Sequence, residues 1–163
     1  MITIRKFEAG DWPSVWQIIE PVFRAGETCA YSPDISEGDA RKAWIDAHPA
    51  VYVAESDGKI VGTYCLKPNQ PGLGSHVCNA GYIVSDAARG KGIATVMCEH
   101  SQTEAKRMGF RAMQFNIVVA TNETAVRLWQ RLGFEIVGRL SGAFKHSKLG
   151  YVDAFVMYKQ LQT

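Results

Sequence analysis

The stretch "NAGYIVSDAARGKGIATVM", Asn79 to Met97, limits the possible folds of this chain more than any other. It passes from an apolar run, through a basic turn holding Gly90 and Gly92, into the start of a helix. Glycines let the backbone come close to a guest, and the first amides of a helix have no partner within it. Those amides and the positive end of the helix dipole make an anion site, beside which Arg89 and Lys91 add formal charge. A phosphate or pyrophosphate is the guest such a turn suits.

The remaining elements follow from periodicity and turn chemistry. "ITIRKF" alternates like a strand, and "GDWPSVWQIIEPVFRAG" reads as a helix with Asp11 as N-cap and Pro13 in its first turn. Pro21 is expected to end or kink that helix. A turn-rich loop, "GETCAYSPD", precedes a second helix, "SEGDARKAWIDAH", capped by Ser36 with Ala40, Ala43, Trp44 and Ala47 on one face. "AVYVAES" and "KIVGTYCLK" around Asp57-Gly58 form a hairpin. After the irregular "PNQPGLGSH" come the strand "VCNAGYIV", a helix over "GIATVMCEHSQTEAKRM" closed by Gly109, and the strand "RAMQFNIVV". "NETAVRLWQRLG" is the clearest helix, with Asn122 as cap and Ala125, Leu128, Trp129 and Leu132 on its apolar face. "FEIVGRL" and "YVDAFVMYKQL" close the chain as strands around a polar loop. The order β-α-α-β-β-β-α-β-α-β-β implies one domain over residues 1–163, a mixed sheet with helices packed on it.

Three kinds of phosphate loop compete for the basic turn. A Walker loop needs a glycine five residues before Gly90, where Ser85 stands. A dinucleotide fingerprint needs a different glycine spacing and an acidic residue near Gln114, and both are missing. Arg89-Gly90-Lys91-Gly92-Ile93-Ala94 instead matches R/Q-x-x-G-x-G/A throughout, and so resembles the acetyl-CoA pyrophosphate loop of the GNAT acyltransferase superfamily. "NETAVRLWQRLGFEIVG" is similar to a second signature of that superfamily, through Asn122, Ala125, Leu128, Trp129, Arg131, Gly133 and Phe134. The resemblance implies the α/β GNAT fold, with a mixed central sheet whose parallel strands splay and with flanking helices. It implies acetyl-CoA as co-substrate, its diphosphate held by Arg89 to Thr95 and its pantetheine arm paired with Ile83, Val84 and Ser85. The Asn122 side chain is expected to cap its helix and, by resemblance, to reach the same arm.

The chemistry implied is attack of a neutral amine on a thioester. Many members place a glutamate one strand's length before the loop arginine as a proton acceptor, and the matching position here is Asn79. The tyrosine that commonly serves as acid is replaced by Trp129. A second asparagine, Asn116, lies on the neighbouring splayed strand. Two carboxamides on facing strands can orient an amine and a carbonyl by hydrogen bonds, leaving catalysis to positioning and fixed dipoles. "KPNQPGLGSHVCNAGYIV", "FNIVVATN" and "GYVDAFVMYK" together look similar to the fungal proline-analogue N-acetyltransferases, in which asparagines carry binding and catalysis. "ETCAYSPDISEGDARKAW" resembles the phosphinothricin-type acetyltransferases. Both resemblances imply a small amino or imino acid as the acceptor.

Glu27 and Tyr31 lie in the loop expected to cover the acceptor, and are candidate substrate contacts. His76 is a candidate base, Tyr158 a candidate facing the thioester, and Arg127 and Arg131 are candidates for the adenosine 3′-phosphate. Cys29 and Cys98 lack activating neighbours, which argues against an acyl-cysteine route. His76 and Cys78 have no company for a metal, so none is expected. A formal charge of +2 gives no field suited to nucleic acid, and no apolar run is long enough to cross a membrane. The N-terminus lacks a signal peptide's apolar segment and the four cysteines lack CxxC spacing, so a cytoplasmic protein with free thiols is expected. The final strands offer a surface for a homodimer. Two rival readings stand beside the small-molecule enzyme: a protein or peptide N-terminal acetyltransferase, and an acyl-CoA-binding regulatory module without catalysis.

Overall fold

In the computed structural model, which describes residues 1–161, seven strands form one sheet in the order β1-β2-β3-β4-β5-β7-β6. Strands β1 (Ile2–Lys6), β2 (Ala50–Ser56), β3 (Lys59–Pro68) and β4 (Val77–Val84) are successively antiparallel. The β2–β3 turn places Asp57 and Gly58 at positive φ, as a tight hairpin requires. β5 (Ala112–Val119) runs parallel to β4, and β7 (Gly150–Gln160) and β6 (Glu135–His146) follow it antiparallel.

Alternation along the central strands feeds two apolar layers. Tyr52, Ala54, Tyr64 and Leu66 face one side with Met97 and Cys98 of α3 (Ile93–Arg107) and Trp129 of α4 (Glu123–Arg131). Val53, Cys65 and Ile83 face the other, against α1 (Trp12–Ala25) and the helix that begins at α2 (Glu37–Arg41). Helix α1 buries Val15, Ile18, Ile19 and Phe23, the spacing of one amphipathic face.

Four local expectations are corrected. Pro21 lies inside α1 and does not end it: Pro21 and Gln17 are on the exposed side, where the carbonyl left without a partner meets water. Asp11 does not cap α1. Its carboxylate accepts the Glu8 amide at 2.8 Å and is held by both terminal nitrogens of Arg5, at 2.8 and 2.9 Å. Beyond α2 the helix loosens into a π turn over Lys42–Asp46, so Ala40, Trp44 and His48 are buried while Ala47 is exposed. The polar stretch after Leu140 is not a loop; it continues β6 to His146, burying Phe144 and His146.

Candidate active site

The parallel pair β4–β5 is short. Its ladder runs from Val77–Ala112 to Asn79–Gln114 and stops there. At the stopping point Asn79 Nδ2 donates to the Gln114 carbonyl at 3.0 Å, so a side chain makes the last rung. Just beyond, β5 carries a bulge between Phe115 and Val118 opposite β7. The strands then diverge around a cleft of about 920 Å3.

Backbone parity decides which groups the gap receives. The bonds Asn69 N–Val77 O and Ser85 N–Val61 O, both 2.8 Å, mark the two ends of the β3–β4 ladder. Odd-numbered residues of β4 therefore turn their backbone toward β3, and Ala80, Tyr82 and Val84 turn theirs toward the gap. Val84 and Tyr82 turn their backbone toward the gap, whereas the backbone groups of Ile83 and Ser85, expected with Val84 at the pantetheine arm, serve β3. Ile83 lines the cleft and Ser85 does not.

At one end of the cleft, α3 begins without a side-chain cap. The amides of Ile93, Ala94 and Thr95 have no hydrogen-bond partner among the described residues, and all three residues line the cleft with Arg89, Gly90 and Gly92. Gly90 and Gly92 have φ of 77° and 78°, and a side chain at either would be strained by the backbone alone. Arg89 is exposed and pairs with Asp86 at 3.0 Å. Lys91 is exposed outside the lining. Asn122 caps α4, its Oδ1 accepting the Ala125 amide at 3.4 Å, and lines the cleft. Of the two arginines on that helix, Arg131 reaches the cleft, whereas Arg127 pairs with Glu123 at 3.4 Å.

The other end carries an exposed chain of carboxamides. Gln114 Nε2 donates to Asn116 Oδ1 at 3.0 Å, and Asn116 Nδ2 donates to Asn69 Oδ1 at 2.7 Å. Asn79 and Asn116 both line the cleft, as do Val22, Cys29, Tyr31, Trp44, His48 and Cys65. Burial pushes the Cys29 thiol up to about 11 and the Tyr31 hydroxyl up to about 12, so both are neutral near pH 7. Burial likewise raises Cys65, and Cys98 lies in the core outside the cleft, which leaves no activated thiol there. Burial, reinforced by the charge of Lys67, pushes His48 down to about 4. Trp129 is buried against Tyr82 and Phe115, at 5.1 Å from each ring.

Glu27 is not at the site. Its carboxylate meets Lys148 at 2.9 Å in the β6–β7 turn, and that ammonium holds its pKa below the ordinary value. The same turn grips the loop after α1, with Ser147 N on the Gly26 carbonyl at 2.9 Å and Ser147 Oγ on the Ala25 carbonyl at 2.6 Å. His146 Nδ1 shapes the turn by accepting the amides of Lys148 and Leu149. His76 is exposed and Tyr158 half-buried, and neither lines the cleft. Asn69, Gln114 and His48 escaped the sequence reading because no motif marks them; each is placed by a tertiary neighbour. Among the described residues no three His, Cys, Asp or Glu side chains gather as a metal site would need.

With this geometry in view, the profile of the acetyltransferase (GNAT) family matches residues 12–134. The chain is 40% identical over 111 residues to the N-acetyltransferase aca1 of Schizosaccharomyces pombe, a match covering 66% of this chain and 53% of that protein. It spans about half or less of the length of the curated relatives it matches. Among solved structures, a GCN5-related N-acetyltransferase from Kribbella flavida is 40% identical with a TM-score of 0.91, covering 98% of this chain and 97% of that one. YncA of Salmonella typhimurium, solved with acetyl-CoA, shares the fold at a TM-score of 0.87 and 22% identity, covering 100% of this chain and 95% of that one.

Proposed function

This chain belongs to the acetyltransferase (GNAT) family, and on that premise we propose that it transfers the acetyl group of acetyl-CoA to the nitrogen of a small amino or imino acid. The observation that carries the reading is the cleft itself. Unpartnered helix amides stand at one end of the β4–β5 gap, and a chain of carboxamides stands where the strands separate.

The residues fit the co-substrate. The amides of Ile93 to Thr95, with Arg89 released from Asp86, would take the diphosphate. The free edge of Tyr82 and Val84 would take the pantetheine arm as a strand takes a neighbour. Bound there, acetyl-CoA supplies an activated thioester carbonyl.

The chain's own part is to bring in a neutral amine and hold it. A free α-amine titrates near pH ~8, so a useful fraction is neutral without a strong base. Asn79 is anchored through Nδ2, which leaves Oδ1, without a partner among the described residues, to accept a hydrogen bond from the amine. Asn116 is oriented from both sides by Gln114 and Asn69, and its remaining N–H can be donated to the developing oxygen charge. The loop gripped by the β6–β7 turn brings Cys29 and Tyr31 over this end, which supports a small acceptor over a polypeptide. Exposed Ile136, Val137, Leu140 and Tyr151 on the last two strands support pairing with a second copy. The four free cysteines support a cytoplasmic setting.

The test is CoA-thiol release from acetyl-CoA against a panel of amines: proline, azetidine-2-carboxylate, phosphinothricin, methionine sulfoximine and short peptides. Turnover on a cyclic imino acid is the expected result. Preference for phosphinothricin would keep the reaction and change the acceptor. Silence on every free amino acid, with CoA still bound, would overturn the small-acceptor reading.

A further inference from the structure

Among the described residues that line the cleft there is no Asp and no Glu, whereas Arg89 and Arg131 are both there. Glu27, in the loop over the acceptor end, is paired with Lys148 at 2.9 Å and stands outside the lining. A cationic guest therefore finds no counter-charge on these walls. An anionic one finds no repulsion.

Lys67 brings a cation to the acceptor end. It stands directly opposite Asn79 in the antiparallel β3–β4 register. Residues so paired project from the same face of the sheet, with Cβ atoms about 5 Å apart. The next pair on that face is Cys65 and Gly81, and both line the cleft, as Asn79 does. Lys67 itself is half-buried outside the lining, and its flexible four-carbon stem carries the ammonium well beyond Cβ. Its charge is felt at His48 and at Cys65, two residues of the cleft wall. Among the described residues no ion pair or hydrogen bond engages that ammonium. A partly desolvated cation with no counter-charge favours an anion beside it.

We infer that Lys67 binds the carboxylate of the acceptor, and so selects free α-amino or α-imino acids over amines that lack this group. In such acids a single carbon separates the nitrogen from the carboxylate. A nitrogen held at Asn79 Oδ1 thus presents its carboxylate to the residue across the ladder, and one cross-strand pair reads both groups. Amides, esters and peptide N-termini, whose nearest carboxyl is neutral, lose the contact. A polyamine meets repulsion from Lys67 and no acid on the wall. This inference rests on the acetyl-transfer reading given above and adds the residue that sets the class of acceptor.

The test pairs the best amino or imino acid of the amine panel with its own primary carboxamide, which keeps the amine and removes the negative charge. The wild-type kcat/KM should be about tenfold higher for the acid, the value of one hydrogen bond between charged groups. Raising the salt concentration should shrink that ratio. Lys67→Met should bring the ratio of acid to carboxamide close to one, with the loss appearing in KM for the acid. Lys67→Arg should keep most of the preference. Equal wild-type kcat/KM on acid and carboxamide overturns the inference without any variant. An unchanged preference in Lys67→Met overturns it too, and either result leaves acetyl transfer standing. No turnover by the wild-type protein on any acid or carboxamide, with acetyl-CoA still bound, overturns the acetyl-transfer reading and this inference together.

Discussion

Asn116 is held between two other carboxamides, so its N–H direction is set by neighbours and not by its own rotamer preference. Asn116→Ala should lower kcat/KM on the order of 10²-fold, as loss of one preorganised donor does elsewhere. Asn69→Ala leaves Asn116 guided by Gln114 alone, and should lower kcat by a smaller factor with KM for acetyl-CoA unchanged. Steady-state thiol release separates the two. At the other end of the cleft Gly92 has φ 78° with open space around it, so Gly92→Ala is a test of backbone shape and not of crowding. The strain should cost about 1 kcal/mol or more. It should appear as a raised KM for acetyl-CoA, because the three free amides lose their aim.

At the scale of elements, capping chemistry predicts a measurable increment. Asn122→Ala removes the bond to the Ala125 amide and should destabilise the protein by about 1 kcal/mol, read as a lower urea midpoint with unchanged slope. That cap, the Asp57-Gly58 hairpin, strand β4 and the basic turn before α3 were all legible in the sequence, because each depends on residues adjacent in the chain. The rest depended on partners far away. Asp11 has the composition of a cap, but Arg5 claims its carboxylate. Ala47 has the right helical phase, but the π turn shifts the phase and buries His48. Glu27 lies in the expected loop, yet it pairs with an ammonium more than a hundred residues later and does not line the cleft. "SGAFKH" reads as polar, yet a strand partner in β7 makes it an edge. For the same reason Asn79 was identified as a site residue from its position, while its bond across to Gln114, which ends the ladder, was not.

For the whole molecule, titration links the site to stability. His48 has its folded pKa lowered from 6.5 to about 4. The unfolded chain therefore takes up its proton first, and stability should fall as pH drops from about 6.5 to about 4. Asp11 is held below its ordinary value by Arg5. Its contribution is fully present above about pH 4 and is lost as pH falls through its depressed folded value. Urea midpoints should thus fall between pH 7 and pH 3, with His100, also lowered by burial, adding to the fall that His48 causes. His48→Leu should lose less stability than the wild type between about pH 6.5 and about pH 4.

The β6–β7 turn grips the backbone at Ala25 and Gly26 and the side chain of Glu27. The cover over the acceptor end is therefore fastened from outside the cleft, by residues that touch neither the carboxamide chain nor the free amides of α3. On the proposed reading, heritable change at the hairpin tip can widen or narrow the range of amines admitted while the machinery of transfer is inherited intact. A lineage can in this way explore new acceptors without passing through an inactive ancestor.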